Sequence, residues 1–222
     1  MTAPRRAPVR AVIFDLDGVL VSTDELHFRA WSEMAAREGI PFTRDDNHRL
    51  RGRSRMESLE LILERAPRSY SSTEKDALAA AKNARYVELL AGITRDDAAP
   101  GALVLMIELH ISGIRTAVAS SSRNARDILH RIGLDREIDV VVDGNDIARA
   151  KPDPEVFLRA AAALGLAPHE CAVVEDAPAG IEAAIAGGFR TIGVGEQARV
   201  PGITAHFDSL GAIDFGQLVG TT

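Results

Sequence analysis

The sequence predicts an α/β fold: a doubly wound parallel sheet carrying an inserted α-helical block. Short β-branched runs alternate with longer helical patterns, as parallel strands joined by crossover helices require. After the first such run comes an interval of about 70 residues without a strand pattern, far longer than an ordinary crossover. A chain of 222 residues, 46% hydrophobic and 26% charged, is long enough to bury a large core and carry a smaller insert.

The first strand is expected over 9–15 (VRAVIFD). The helical block follows over 22–94, so that 1–21 and 95–222 form the core and 22–94 a cap. Within the block, Ser22 with Glu25 and Ser54 with Glu57 fit capping boxes, and a further helix runs from Thr73 to Ala91, stopped by Gly92. The alternation then resumes. A helix stopped by Gly113 leads to a strand over 115–120 (RTAVAS), and a helix around Ile128 and Leu129, stopped by Gly133, leads to a strand over 138–143 (IDVVVD). Asp153 reads as the N-cap and Pro154 as the first residue of the next helix, which Gly165 stops. A strand over 171–176 (CAVVED), a helix stopped by Gly187 and a strand over 190–194 (RTIGV) complete the pattern.

Composition excludes several function classes. Lys and Arg total 26 against 32 Asp and Glu, a net charge of −6, which argues against a surface built for nucleic acid or anionic lipid. The apolar run from Ala11 to Phe14 breaks at Asp15, too soon for a signal peptide or a spanning helix, so a cytoplasmic protein without a membrane partner is expected. A single cysteine, Cys171, cannot form an internal disulfide and reads as a buried thiol; no Cys/His zinc spacing occurs. Nothing points to a subunit interface, so a monomer is expected. Positive charge is written almost entirely as Arg, with lysine only at 75, 82 and 151.

Ligands of open α/β sheets gather at the carboxyl ends of the strands. There the chain places Asp15-Leu16-Asp17-Gly18 after the first strand, Ser120-Ser121-Ser122 after the second and Glu175-Asp176 after the fourth; Lys151 lies in a loop entering a helix. Singly these read as a turn, a helix cap, an acidic loop and a solvated charge. Jointly they make a phosphoryl-transfer site. Carboxylates at Asp15, Asp176 and Glu175 suit Mg²⁺, an oxygen-seeking ion that bridges to phosphate. Ser120 and nearby amides suit phosphate oxygens, and Lys151 supplies a point charge. Asp15 is placed to attack phosphorus and become an aspartyl-phosphate, with Asp17 as general acid and then base.

These four motifs, in this order, resemble the haloacid dehalogenase superfamily over nearly the whole chain. The resemblance implies a Rossmann-like core and aspartyl-phosphate chemistry, with Asp15, Asp17, Glu175 and Asp176 as the metal set. The cap runs ELHFRAW, LRGRSRMESLELIL and KNARYV are similar to those of members that interconvert β-glucose 1-phosphate and glucose 6-phosphate through β-glucose 1,6-bisphosphate. A mutase must hold two phosphates, so the likeness implies a second anion site: Arg55 with Gly52 and Arg53 on the cap, and Ser122, Arg123 and Asn124 on the core. Arg53 and Arg55 also read as a solvated face. The likeness further implies that Thr23 and His27 couple the hinge to Asp17, that Lys82 lies near the sugar or the cap–core seam, and that Trp31 lines the sugar site. Their plainer readings are an ordinary helix start with a partly buried His, an exposed Lys and a core Trp. Departures from the pattern are Ser121, where alanine is usual, and Arg51 and Arg123, where lysine is usual. A small-molecule sugar phosphate is the expected partner. The rivals to a mutase are a sugar-phosphate phosphatase on the same scaffold, a non-catalytic sugar-phosphate-binding protein and a helical interaction module.

Overall fold

The computed structural model describes residues 8–220; the outermost parts of the expected core, 1–7 and 221–222, lie outside the described residues. Six strands, β1 (Ala11–Phe14), β2 (Arg115–Ala119), β3 (Val140–Val142), β4 (Cys171–Glu175), β5 (Arg190–Val194) and β6 (Ala205–Phe207), form one parallel sheet in the order β3-β2-β1-β4-β5-β6. Every side chain of β1 is buried, and the two-residue period of a strand sends them to opposite layers. Val12 and Phe14 join the core formed with α5 (Ala102–Ile111), α6 (Ala125–Arg131) and α9 (Phe215–Val219). Ala11 and Ile13 join the one formed with α7 (Glu155–Ala163) and α8 (Pro178–Ala186). Layers on both faces explain why β1 and β4 read as unbroken apolar runs rather than alternating ones. Cys171, the first residue of β4, is buried in the second layer, where burial pushes its thiol up to about 11.

Between β1 and the resumption of the alternation lie four helices: α1 (Asp24–Arg37), α2 (Arg44–His48), α3 (Arg55–Leu63) and α4 (Ser72–Leu90). They bury a separate cluster that includes Trp31, Met34, Ile40, Leu59 and Ile62, while Ala30, Tyr86 and Leu90 turn towards the sheet layer. Two arrays of apolar side chains thus diverge from the same pair of helices, α1 and α4.

Several expected details shift. Ser54 and Glu57 form the capping box, the Ser54 amide donating to the Glu57 carboxylate at 2.8 Å, and an unforeseen box at Ser71 and Glu74 starts α4 at Ser72 rather than Thr73. The box expected at Ser22 and Glu25 is absent. Thr23 occupies the N-cap of α1 without a side-chain cap, because its hydroxyl is turned to Asp17, and Glu25 pairs with Arg44 at 2.6 Å. The N-cap of α7 is Pro154 rather than Asp153, and the helix begins at Glu155, whose amide Asp153 accepts at 2.9 Å from one residue outside the cap. Strand β3 is three residues long, shorter than 138–143, and β6 falls in a stretch without a strand signature. No helix among the described residues is long and apolar enough to cross a membrane.

Candidate active site

The parallel register aligns Phe14 of β1 with Val118 and Val174, so Asp15 emerges between the carboxyl ends of β2 and β4. There Asp15, Glu175 and Asp176 each bring a carboxylate oxygen within 4.8 Å of the others. The Lys151 ammonium, 1% exposed, donates to Asp15 and, at 3.3 Å, to Glu175. Burial alone would lower its pKa, but the two carboxylates outweigh that and hold it above the ordinary lysine value. Burial, then the neighbouring charge of Asp15, raises Glu175 well above the carboxylate range and Asp176 to about 7. Three crowded, desolvated carboxylates against one ammonium leave an excess of acceptor oxygens. That donor set fits a divalent cation.

The loop bearing Lys151 is clamped from α7. The Glu155 carboxylate accepts the amides of Ala148 and Arg149 at 3.2 and 3.0 Å and pairs with Arg159 at 2.7 Å. Two glycines make room for the acids: a Cβ on Gly180 would lie 1.6 Å from the Glu175 carboxylate, and one on Gly18 would lie 2.1 Å from that of Asp176. Gly18 also takes φ +96°, a left-handed conformation that a side chain disfavours. Ser120, buried at the end of β2, accepts the Ser122 amide at 3.1 Å, and Ser122 in turn accepts that of Asn124 at 3.2 Å.

Asp17 stands apart from the carboxylate cluster. Its side chain accepts from the Thr23 hydroxyl, and burial, only partly offset by that bond, lifts its pKa to about 6. A carboxyl poised there both gives and takes a proton near neutrality. Thr23 immediately precedes α1, so the position of the acid is tied to the first helix of the inserted block.

At the seam between block and sheet, His27 and Lys82 meet: the Lys82 ammonium lies 2.9 Å from His27 Nδ1, 4.4 Å from the Trp31 ring centre and 4.7 Å from that of Tyr86. Burial, then the charge of Arg55, lowers Lys82 to about 7; burial, then Lys82 and Arg55, pushes His27 well below its ordinary value, so its ring is neutral and accepts. Lys82 is therefore a buried group and not a solvated helical charge, and Trp31 packs within the block with its ring towards that ammonium.

Arg55 is half-buried, and its pKa is lowered by burial and by the facing charge of Arg123. Neither guanidinium forms an ion pair among the described residues. Arg53 is exposed and donates to the Arg49 carbonyl at 3.2 Å, which fits the solvated reading. Two hydrogen bonds close the seam: the Ser121 hydroxyl donates to the Gly52 carbonyl at 3.2 Å, and the Asn124 amide to that of Asn83 at 3.1 Å. Arg51 pairs with Asp24 at 3.1 Å. Asn83, Tyr86 and Glu155 escaped the sequence reading; only the spacing of Lys82 and Tyr86, one turn apart on α4, could have suggested a shared face.

A strand-end aspartate, a buried lysine and an acidic cluster at the carboxyl edge of a parallel sheet define a phosphoryl-transfer enzyme of the haloacid dehalogenase type. The chain belongs to the haloacid dehalogenase-like hydrolase family, whose model matches residues 9–188. It is 45% identical to a β-phosphoglucomutase of Bacillus subtilis over 190 residues, covering 85% of this chain and 84% of the relative. A phosphorylated-carbohydrates phosphatase of Thermotoga maritima is 32% identical over 83% of this chain and 84% of its own length. The crystal structure of a β-phosphoglucomutase from Clostridium difficile superposes with a TM-score of 0.89 at 36% identity, covering 93% of this chain and 94% of that one.

Proposed function

We propose that the protein is a phosphoglucomutase that interconverts β-D-glucose 1-phosphate and D-glucose 6-phosphate through β-glucose 1,6-bisphosphate, acting as a cytoplasmic monomer. The observation that carries this reading is the pair Arg55 and Arg123, two guanidiniums facing each other across the seam without a carboxylate partner among the described residues. Like charges held together call for an anion, and a second phosphate, remote from Asp15, supplies one. The likeness to β-phosphoglucomutases agrees.

The residues divide the chemistry as follows. An Asp15 oxygen attacks phosphorus; the bond from phosphorus to the sugar oxygen breaks, and Asp17 gives its proton to that oxygen. Lys151 offsets the charge of Asp15 and of the phosphate, while Ser120 holds a phosphate oxygen. β-Glucose 1-phosphate then presents its 6-hydroxyl to the aspartyl-phosphate; Asp17 takes that proton, the oxygen attacks phosphorus and releases Asp15, and the 1,6-bisphosphate so formed turns round to offer its other phosphate to Asp15. Mg²⁺, taken by Asp15, Glu175 and Asp176, supplies positive charge against the phosphate oxygens when bound. The side chain of Asp17 is thereby left to proton transfer. The block 22–94 serves as a cap: Thr23 brings Asp17 into place as α1 docks, and Arg55, His27 and Lys82 enclose the sugar and exclude water.

The test is to incubate the protein with Mg²⁺, β-glucose 1-phosphate and a trace of the 1,6-bisphosphate, following glucose 6-phosphate and free phosphate. Glucose 6-phosphate should dominate. Free phosphate as the main product would establish the second reading, a sugar-phosphate phosphatase, which the likeness to the Thermotoga maritima enzyme favours.

A further inference from the structure

The phenol of Tyr86 is 1% exposed, and its hydroxyl is one of two buried side-chain oxygens among the described residues without a hydrogen bond. A buried donor left unsatisfied is destabilising, and native interiors rarely tolerate one without a use. The ring is fixed from two sides. His27 lies against it with centroids 4.1 Å apart and ring planes inclined by 32°, and the Lys82 ammonium lies 4.7 Å from its centre. The hydroxyl end therefore has little freedom to find another partner. Its polar surroundings are those of the site: burial and the charge of Asp17 raise its pKa, while the Thr23 hydroxyl and Arg55 oppose them. Thr23 lies alongside without the geometry of a hydrogen bond, its own hydrogen being given to Asp17. The phenol stays protonated and remains a donor.

We propose that Tyr86 is a further substrate-contacting residue, whose preoriented hydroxyl donates a hydrogen bond to an oxygen of the bound sugar, between the acid Asp17 and the cap arginine Arg55. The proposal rests on the sugar-phosphate reading of the site, but not on whether the reaction ends in mutation or hydrolysis. A sugar oxygen supplies the acceptor that no side chain among the described residues gives this hydroxyl.

Tyr86→Phe removes only this oxygen. Three measurements on wild type and variant test the assignment: the Kd of glucose 6-phosphate by calorimetry, the melting temperature of the ligand-free protein, and the rate at which acetyl phosphate, a donor without a sugar, phosphorylates Asp15. The Kd should weaken about tenfold, as loss of one neutral hydrogen bond requires. The melting temperature should hold or rise, and the acetyl phosphate rate should stay unchanged. Ser32→Ala, which removes the other buried hydroxyl without a partner, should leave the Kd alone. An unchanged Kd in Tyr86→Phe would overturn the proposal, as would a fall in melting temperature accompanied by equal losses of glucose 6-phosphate binding and of the acetyl phosphate rate, the mark of a structural hydroxyl. Failure of the mutase reading shows separately, as free phosphate in the wild-type assay.

Discussion

Replacing Lys151 by arginine keeps the charge and should nevertheless destroy most of the activity. The ammonium sits 3.3 Å from the Glu175 carboxylate and in contact with Asp15, with both of its partners and itself buried. At an effective dielectric of about 20, and with Glu175 ionised as cation binding requires, a unit pair at that 3.3 Å separation is worth about 5 kcal/mol before desolvation is charged against it. Phe157 closes the other side, its ring centre 4.7 Å from Nζ. A guanidinium is wider than an ammonium and needs a planar fork of acceptors, so it has to move off this point to fit. Displacing the charge leaves two buried carboxylates without their counterion, a change that costs about 3–5 kcal/mol in comparable buried pairs. The expected loss in kcat/KM is thus about 10²- to 10⁴-fold. Steady-state turnover of β-glucose 1-phosphate measures it, and phosphorylation of Asp15 by acetyl phosphate should fall in parallel. Lys75→Arg is the control, because Lys75 makes a partly exposed pair with Glu60 at 2.7 Å and should change neither rate. Turnover of Lys151→Arg within tenfold of wild type would refute the reasoning.

Three more outcomes are expected. Asp17 titrates at about 6, so the step in which it acts as an acid should weaken as pH rises through that value; Thr23→Val removes the bond that favours its ionised form and should move this limb of the kcat profile to higher pH. An unmoved limb would detach Thr23 from Asp17. Asp176 holds its proton up to about 7 and burial raises Glu175 as well, and a cation needs both ionised, so stabilisation by Mg²⁺ in thermal melts should grow between pH 6 and pH 8. The same linkage makes the metal-free protein less stable as pH rises through this window, since a carboxyl with a raised folded pKa favours the fold only while protonated. Gly180→Ala should lower stability by about 1–3 kcal/mol in denaturant melts and weaken Mg²⁺ binding, because the added methyl takes the place of the Glu175 carboxylate.

Sequence alone determined the features that follow from local geometry. A short unbroken apolar run, buried on both faces, marks β1 and β4, and a parallel strand delivers whatever follows it to the carboxyl edge of the sheet, so Asp15, Ser120 and Glu175-Asp176 gather into one site from sequence alone. The box at Ser54 and Glu57 was legible for the same reason: two residues three positions apart decide it. Edge strand β6 was not legible, since three half-buried residues carry too little periodicity and owe their conformation to pairing with β5. Thr23 shows where a local rule yields, its hydroxyl being worth more to a desolvated carboxylate than to the amides of α1. Only the tertiary structure could decide the seam. Lys82 meets His27 across 55 residues of chain, Ser121 meets Gly52 across 69, and Arg55 approaches Arg123 from a different layer. Whether such groups are solvated or buried is set by how α1 and α4 pack against the sheet, a long-range outcome that no spacing within either helix encodes.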